Sequence, residues 1–279
     1  MFNLTKAFLF KVRKDAASKT ALIFAVALAV FFWGLFLLIY SKSEPKICTG
    51  QTILALVSTP TQGYGLVLPA IIATMVVGEF STGVIRNKVI AGNSKFKIFT
   101  SLFVLNAIYS IVLYGICMVV GLLLGTIVGG FNPNGIGVVG LMTFMMGTFA
   151  GELLGRLVIM GFFIIVMISA FATSLATIFR SVGPCIPIVI ISVFLLTILS
   201  ITMPYSKGGY YLDGLTKFNP AFAGCFVERE PFEGDWYMVM YSNLFISDER
   251  FNWSLISSSV YTVIFYVVGL IPFLKRDLK

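Results

Sequence analysis

Long apolar runs separated by short polar segments make up the hydrophobic pattern of this chain. The runs predict membrane-spanning helices at about residues 20–40, 64–85, 98–128, 156–179, 184–203 and 254–274. A helix of about 20 apolar residues is long enough to cross the hydrocarbon layer of a bilayer. The short alternating segments that are typical of a membrane β-barrel do not occur in these runs. We therefore predict an all-α integral membrane protein with six transmembrane helices.

The polar segments around these runs predict the rest of the architecture. Residues 1–19 carry apolar side chains at helical spacing and basic side chains mostly on the other side, which is typical of an amphipathic helix at the membrane interface. Direct docking to a partner is the alternative interpretation. We expect residues 20–279 to form the six-span domain, with residues 204–253 as a long external loop. Segment 141–154 is apolar but short, so we expect an interfacial or re-entrant piece there.

The distribution of charge orients the predicted helices. With both termini inside, the inner segments contain thirteen basic and three acidic residues, and the outer segments contain seven basic and nine acidic residues. The difference is +10 inside and −2 outside, which accounts for the net charge of +8. Lys and Arg concentrate in short cytoplasmic loops. We therefore expect a multi-pass cell-membrane protein with both termini in the cytoplasm.

Composition narrows the possible chemistry. Hydrophobic residues make up 58% of the chain and the mean hydropathy is +0.97, so the positive charge indicates orientation in lipid and no nucleic-acid partner. The chain has no histidine, which excludes a His-ligated metal site and a Ser-His-Asp site. It also has no G-x-x-x-x-G-K-[ST] phosphate loop for ATP. Cys48 and Cys225 fall in predicted external loops, and a disulfide between them stays open.

The segment between the second and third predicted spans, residues 79–97, concentrates charge. In a continuous helix Glu79, Gly83 and Arg86 would share one face. Glu79 is the one carboxylate at the inner edge of a predicted span, and an ionisable group there is costly unless it is paired, which makes it a functional candidate. A structural ion pair is the alternative, with Arg86 or with Arg13 or Lys14 of the amphipathic helix.

Two runs of glycine at every fourth position predict close helix packing. They are Gly121, Gly125 and Gly129 in the third span, and Gly147, Gly151 and Gly155 leading into the fourth. Glycine at this spacing lets helix backbones approach each other, and packing within the bundle or a dimer contact would both fit. Glu152 and Arg156 are spaced for an ion pair on one helix, at the outer rim. A role of this pair in substrate gating is the alternative.

The charged segment also resembles a family motif. It reads Glu79-x-x-x-Gly83-Val-Ile-Arg86-Asn87-Lys88-Val-Ile-x-Gly92-x-Ser94-Lys95, which is similar to the E-x-x-x-G-T-[IL]-R-N-K-[LI]-[LI]-x-G-x-[ST]-[RK] segment of type-2 ABC-transporter permeases. The similarity is greatest to the bacteriocin-immunity and peptide-export branch. Val84 stands where the family often has Thr. The motif covers under a tenth of the chain, and the six spans, the amphipathic helix and the long loop before the last span agree with it.

The resemblance implies a short coupling helix within residues 86–97 that docks on a separate cytoplasmic ATPase. The docking candidates are Arg86, Asn87, Lys88, Gly92, Asn93, Ser94 and Lys95. ATP and Mg²⁺ would then be bound by the ATPase, which leaves this chain without cofactor, metal or catalytic residue. The resemblance also implies a second permease half, identical or homologous to this one.

These inferences together predict the transmembrane subunit of an exporter for a hydrophobic or amphiphilic substrate such as a peptide, a lantibiotic or a drug. A secondary transporter or channel that works without an ATPase is the alternative, although ion coupling normally requires more intramembrane carboxylates than Glu79. An intramembrane enzyme ranks last, because the chain has no histidine and no evident nucleophile and base. A membrane tether for an ATPase also stays open.

Overall fold

A computed structural model describes residues 64–130, 150–202 and 248–275, together with positions 10, 19–20, 22–24, 26–27, 30–31 and 34. Within these ranges the chain is helical and no strand occurs. The all-α class is therefore confirmed for this part of the protein. The predicted interfacial helix 1–19, the first span, the loop 204–253 and most of segment 141–154 lie largely or wholly outside the described residues.

The described helices follow the apolar runs of the sequence. Their bounds are α1 Tyr64–Ser81, α2 Val84–Ile90, α3 Lys95–Gly129, α4 Ala150–Phe179, α5 Val182–Thr202 and α6 Asp248–Lys275. Ser94 caps the start of α3, where its side chain accepts a hydrogen bond from the backbone N–H of Lys97 at 3.4 Å. This cap explains why α3 begins before the predicted start of the span at residue 98.

Three of these helices are long and apolar enough to cross a membrane. The spanning stretches are Lys95–Val128 in α3, Val158–Phe179 in α4 and Leu255–Lys275 in α6. Leu68–Ser81 and Val84–Ile90 make a further candidate if the two helices count as one bent span. A shorter apolar helix covers Gly183–Ser192. The described residues therefore support three spanning helices, or four with the bent pair.

Two helix ends differ from the sequence-based expectation. The second predicted span, 64–85, is interrupted because α1 ends at Ser81 and α2 begins at Val84. Helix α6 begins at Asp248, inside the region predicted as external loop, and extends as a polar turn before the apolar stretch that starts at Leu255. Apolar length predicts the part of a helix that lies in lipid, whereas a helix can continue beyond it into a polar region.

Helix α4 lies at the centre of the bundle and packs against α1, α3, α5 and α6. Of its spanning stretch 61% is buried, compared with 33% for α3 and 17% for α6. The buried positions of α4 include the small residues Ala172, Thr173, Ser174, Ala176 and Thr177. Small side chains let several neighbours approach one helix closely, which is how helices pack in lipid.

Several polar side chains inside the bundle form hydrogen bonds that join or brace its helices. The Asn106 amide of α3 donates to Thr173 Oγ1 of α4 at 3.1 Å, and Thr173 Oγ1 donates to the carbonyl oxygen of Ser169 at 2.8 Å. Ser174 Oγ contacts the carbonyl oxygens of Ala170 and of Phe265 in α6. A polar group without a partner in such an interior would be costly. These bonds fix the relative positions of α3, α4 and α6.

Candidate functional site

The candidate site is the α1–α3 corner, which we define as residues 79–97. Helices α1 and α2 meet here at an angle of 52°. Gly83 has φ 69° and lies between them, where its N–H donates to the Phe80 carbonyl at 3.1 Å. A Cβ at Gly83 would meet nothing within 4 Å, so the left-handed backbone, and not crowding, requires glycine. The continuous helix expected for Glu79, Gly83 and Arg86 is therefore wrong.

Glu79 lies on the inner side of this bend and is buried. Lys88 Nζ of α2 lies 3.9 Å from Glu79 Oε2, so the ion pair crosses the bend. That separation is too long for a hydrogen bond and leaves a Coulombic contact. Arg86, one of the three partners of Glu79 that the sequence suggested, is exposed on another side of α2. Arg13 and Lys14 lie outside the described residues.

One face of α2 is anchored in an apolar cluster. Ile85 packs in one buried cluster with Ile98 and Phe99 of α3 and Phe273 of α6. The rings of Phe99 and Phe273 have centroids 5.4 Å apart, and Phe80 meets Phe273 edge to face at 6.1 Å. Such aromatic contacts are directional and stabilise a fixed geometry. The cluster therefore joins α1, α2, α3 and the last turn of α6.

Several predicted docking residues make hydrogen bonds within the chain. Lys95 Nζ donates to the carbonyl oxygen of Leu274 at 3.1 Å, and Asn93 Nδ2 donates to the carbonyl oxygen of Lys88 at 3.1 Å. Ser94 caps α3. These three side chains thus shape the corner, whatever else they contact. Gly92 has φ 86° and its N–H donates to the Val89 carbonyl at 2.9 Å, which ends α2 in the manner typical of glycine.

The opposite face of α2 and the following turn are exposed. The exposed residues of the corner beyond the bend are Arg86, Asn87, Ile90, Ala91, Gly92, Ser94, Phe96 and Lys97. We call these residues the outer face of the corner. Ile90 is 72% exposed and Phe96 is 48% exposed, although both are large and apolar. The outer face therefore combines cations with apolar side chains.

Sequence reasoning did not include Ile90 and Phe96 among the site residues. Each of them lies among apolar and basic residues, and a helix that buries one apolar face has the same pattern. The one signal that could have distinguished Ile90 is its distance along α2 from Ile85, since residues five apart do not share a helix face. For Phe96, the flanking Lys95 and Lys97 indicate a residue at the end of a helix.

The turn between α4 and α5 lies at the same end of the bundle as the corner. Arg180, with φ 53°, follows the last residue of α4. Its guanidinium carbon lies 5.2 Å from the centroid of the Phe80 ring, a distance typical of a cation–π contact. Because Lys95 also contacts Leu274, the ends of α1, α4 and α6 and the start of α3 meet at one end. The cations in those segments are thus gathered together.

The predicted glycine contacts are only partly within the described residues. Gly121 and Gly125 are buried in α3. Gly155 is exposed, and a Cβ there would meet nothing within 4 Å. Nothing is described of the surroundings of Gly129 and Gly151, and Gly147 lies outside the described residues. Packing within the bundle and a dimer contact both stay predictions for these six residues.

A glycine that the sequence did not single out lies at a close contact between two helices. A Cβ on Gly269 of α6 would lie 2.9 Å from Ser174 Oγ and 3.0 Å from Ser174 Cα of α4. No glycine repeat surrounds Gly269 in the sequence, so only the packed structure reveals it. The backbones of α4 and α6 therefore approach closely at this point.

Few described residues bear on the predicted ion pair at Arg156, on the cysteines or on metal binding. Arg156 lies 5.8 Å from the centroid of the Phe251 ring, and its predicted pairing with Glu152 stays a prediction. Cys117 and Cys185 are buried, whereas Cys48 and Cys225 lie outside the described residues. Within the described ranges no three His, Cys, Asp or Glu residues are placed to hold a metal ion.

Comparison with known proteins leaves the family of this chain open. No protein-family model, no curated protein and no solved structure matches it. The resemblance to type-2 ABC-transporter permeases therefore rests on the corner motif and on the predicted topology alone. The geometry presents an exposed face of cations and apolar side chains on a helix whose other face is anchored.

Proposed function

We propose that this chain is the membrane-spanning subunit of an ATP-driven exporter and that a separate ATPase docks on the outer face of the corner. The observation that carries this proposal is the exposure of Ile90 and Phe96 beside Arg86 and Lys97. Large apolar side chains exposed among polar ones are typical of protein interaction sites. Cations at the rim of such a site favour a partner with acidic residues there.

The proposed assembly follows from the charge distribution and the motif. The chain would have six transmembrane helices, an interfacial helix at residues 1–19 and both termini in the cytoplasm of a bacterium. Two such permease halves, identical or homologous, would enclose the path of a hydrophobic or amphiphilic substrate. ATP and Mg²⁺ would be bound by the ATPase. Helix α2 would serve as the coupling helix, because it is short, amphipathic and located between two apolar helices.

The corner geometry improves the choice of variants for testing the docking. Lys88 faces Glu79, so its charge reversal would disturb the bend as well as any docking. Arg86 and Ile90 are exposed and are better placed for substitution. Lys275 is an exposed cation at the same end of the bundle and outside the corner, and Lys275→Glu is therefore a matched control for the reversal of one positive charge.

The experiment is co-purification with the cognate ATPase from membranes, followed by transport in proteoliposomes. The unsubstituted chain should retain an ATPase subunit and export substrate with ATP. The double variant Arg86→Glu with Ile90→Ser should lose at least about tenfold in ATPase affinity, since loss of a buried apolar contact and of a charge contact exceeds about 1.4 kcal/mol. Lys275→Glu should retain the ATPase. Equal retention by the double variant would remove the docking assignment.

A secondary transporter or channel is the second candidate, and the burial of Glu79 is the observation in its favour. Buried carboxylates within a membrane domain commonly serve in ion coupling. The contact with Lys88 argues against this role, because a paired carboxylate is less available to bind an ion. Substrate movement driven by an ion gradient in liposomes without any ATPase would establish this candidate and reject the exporter.

A further inference from the structure

The spanning stretches of α3 and α6 carry lysines at the same end of the bundle. Lys95 is the first residue of the stretch Lys95–Val128, and Lys275 is the last residue of the stretch Leu255–Lys275. Lys97 lies in the first turn of α3 and is exposed, as is Lys275. The polar head groups of a bilayer begin where apolar stretches end, and a long lysine side chain reaches outward to them. The three lysines are therefore placed at the depth of the head groups.

A hydrogen bond places these cations next to one another. Lys95 Nζ donates to the carbonyl oxygen of Leu274 at 3.1 Å, and Lys275 follows that carbonyl directly in the chain. Lys97 is two residues beyond Lys95. We call Lys95, Lys97 and Lys275 the α3–α6 cationic patch. Like charges at such short range repel one another, so an anion beside the patch would stabilise it.

The described part of the chain supplies no carboxylate for this patch. Among its acidic residues only Glu79 is at this end of the bundle, and Glu79 Oε2 lies 3.9 Å from Lys88 Nζ. The other described acidic residues lie near the starts of α4 and α6, which is about 40 Å away along α6. Residues 276–279, outside the described residues, contain two cations and one acid. The patch therefore keeps an excess of positive charge.

Apolar side chains are exposed beside the patch, along the line where α3 and α6 meet. The two helices touch where the hydroxyls of Thr100 and Tyr266 lie 2.6 Å apart. Val104 of α3 is 38% exposed and Val263 of α6 is 61% exposed. Residues three or four apart share a helix face, so both valines flank this contact on the side away from the patch. An acyl chain could cover them while its head group contacts the lysines.

We propose that the α3–α6 cationic patch binds the phosphate group of an anionic phospholipid, whose acyl chain lies along the line between α3 and α6. The positions of the lysines at the ends of apolar stretches and the exposed apolar side chains beside them favour a lipid over a soluble phosphate compound. Basic pockets between membrane helices are suited to such head groups. Phosphate oxygens also accept strong, charge-assisted hydrogen bonds from lysine.

Lipid binding can be measured on the full chain in neutral detergent, without any ATPase. The chain is titrated with phosphatidylglycerol or with phosphatidylcholine, and native mass spectrometry gives the dissociation constant of the first bound lipid. Phosphatidylglycerol, which has a net negative charge, should bind more tightly. Each lysine near an anionic head group contributes about fivefold in affinity. The double variant Lys97→Gln with Lys275→Gln should therefore bind phosphatidylglycerol about 25-fold more weakly, and the double variant with arginine at both positions should bind as the unsubstituted chain does.

Single variants separate the patch from the net charge of the chain. Lys97→Gln and Lys275→Gln should each weaken phosphatidylglycerol binding about fivefold. Arg86→Gln is the matched control, because it removes one exposed cation of α2 outside the patch, and it should have less than about a twofold effect, since charges outside the contact are screened by salt. An equal loss in all three variants would show that net charge attracts the lipid, and would overturn the proposal. Equal affinity of the unsubstituted chain for both lipids would overturn it as well.

A competition experiment distinguishes a lipid from a soluble phosphate compound. Glycerol phosphate should displace bound phosphatidylglycerol no better than sodium chloride at the same ionic strength, because it has no acyl chain to cover Val104 and Val263. Specific displacement by glycerol phosphate would mean that the patch binds soluble phosphate compounds, and the lipid assignment would be rejected. Since no ATPase is present in any of these measurements, their outcome is independent of the docking experiment.

Discussion

The contact between Gly269 of α6 and Ser174 of α4 yields the most direct stability prediction. Replacing Gly269 with alanine puts a methyl group 2.9 Å from Ser174 Oγ and 3.0 Å from both Ser174 Cα and Phe99 Cζ. Carbon atoms in ordinary contact are about 3.5–4.0 Å apart. The Ser174 backbone cannot turn away as the end of a flexible side chain could, so the two helices must separate.

The expected cost has two parts. Overpacking in a tight interior costs about 1–3 kcal/mol. Separation of the helices also weakens the contact of Ser174 Oγ with the Phe265 carbonyl, which is worth about 0.5–1.5 kcal/mol. Ser174 retains the Ala170 carbonyl as an acceptor, so the second part lies at the low end. Alanine in a helix also gains up to about 1 kcal/mol over glycine, so we expect Gly269→Ala to lower the free energy of unfolding by about 0.5–2.5 kcal/mol in total.

The measurement is the denaturant-induced unfolding of the purified chain in mild detergent, with Gly115→Ala as the matched control. Gly115 lies in α3, where a Cβ would meet nothing within 4 Å. In a helix alanine replaces glycine with a gain of up to about 1 kcal/mol, so the control should be neutral or stabilised. If Gly269→Ala were as stable as Gly115→Ala, the close approach of α4 and α6 would be refuted.

The other predictions concern polar contacts and the bend at Gly83. Asn106→Ala should lower the free energy of unfolding by about 1–2 kcal/mol, and a double-mutant cycle with Thr173→Ala should give a coupling of about 0.6 kcal/mol, as is usual for hydrogen bonds between membrane helices. Tyr266→Phe should cost about 0.5–1.5 kcal/mol in the same unfolding assay. Thr100→Val should cost less in the Tyr266→Phe variant than it does alone, because the Thr100 and Tyr266 hydroxyls lie 2.6 Å apart, although Thr100 Oγ1 also contacts the Phe96 carbonyl at 2.9 Å; fully additive losses would contradict this pairing. Gly83→Ala should cost about 1–2 kcal/mol, since φ is 69° there, and an unchanged unfolding midpoint would indicate that the bend is absent in the membrane.

The helical class and the apolar stretches were predictable because both depend on local properties of the chain. Apolar length decides whether a helix can cross a bilayer, and the spanning stretches of α3, α4 and α6 start within three residues of the predicted spans at 98, 156 and 254. The break after Ser81 was less predictable. Gly83 was visible in the sequence, but a glycine inside an apolar helix has several explanations.

The contacts of the charged corner could not be predicted from neighbouring residues alone. The sequence indicated that Glu79 needs a partner, because a carboxylate at the edge of lipid is costly. Spacing along one continuous helix suggested Arg86 as that partner, and the 52° bend at Gly83 instead places Lys88 beside the carboxylate. Ile85 and Ile90 look alike in the sequence, yet one is buried and the other is 72% exposed.

By itself, the sequence determined that this chain forms apolar helices, that a charged segment interrupts them and that a carboxylate lies at its edge. Hydrophobic length, helix period and charge are properties of neighbouring residues, and this is why they could be deduced in advance. The tertiary structure alone decided the partner of Glu79, the exposure of Ile90, the bond from Lys95 to Leu274 and the contact at Gly269. Each of these depends on the angle and distance at which separate helices meet, and packing between distant segments sets that geometry.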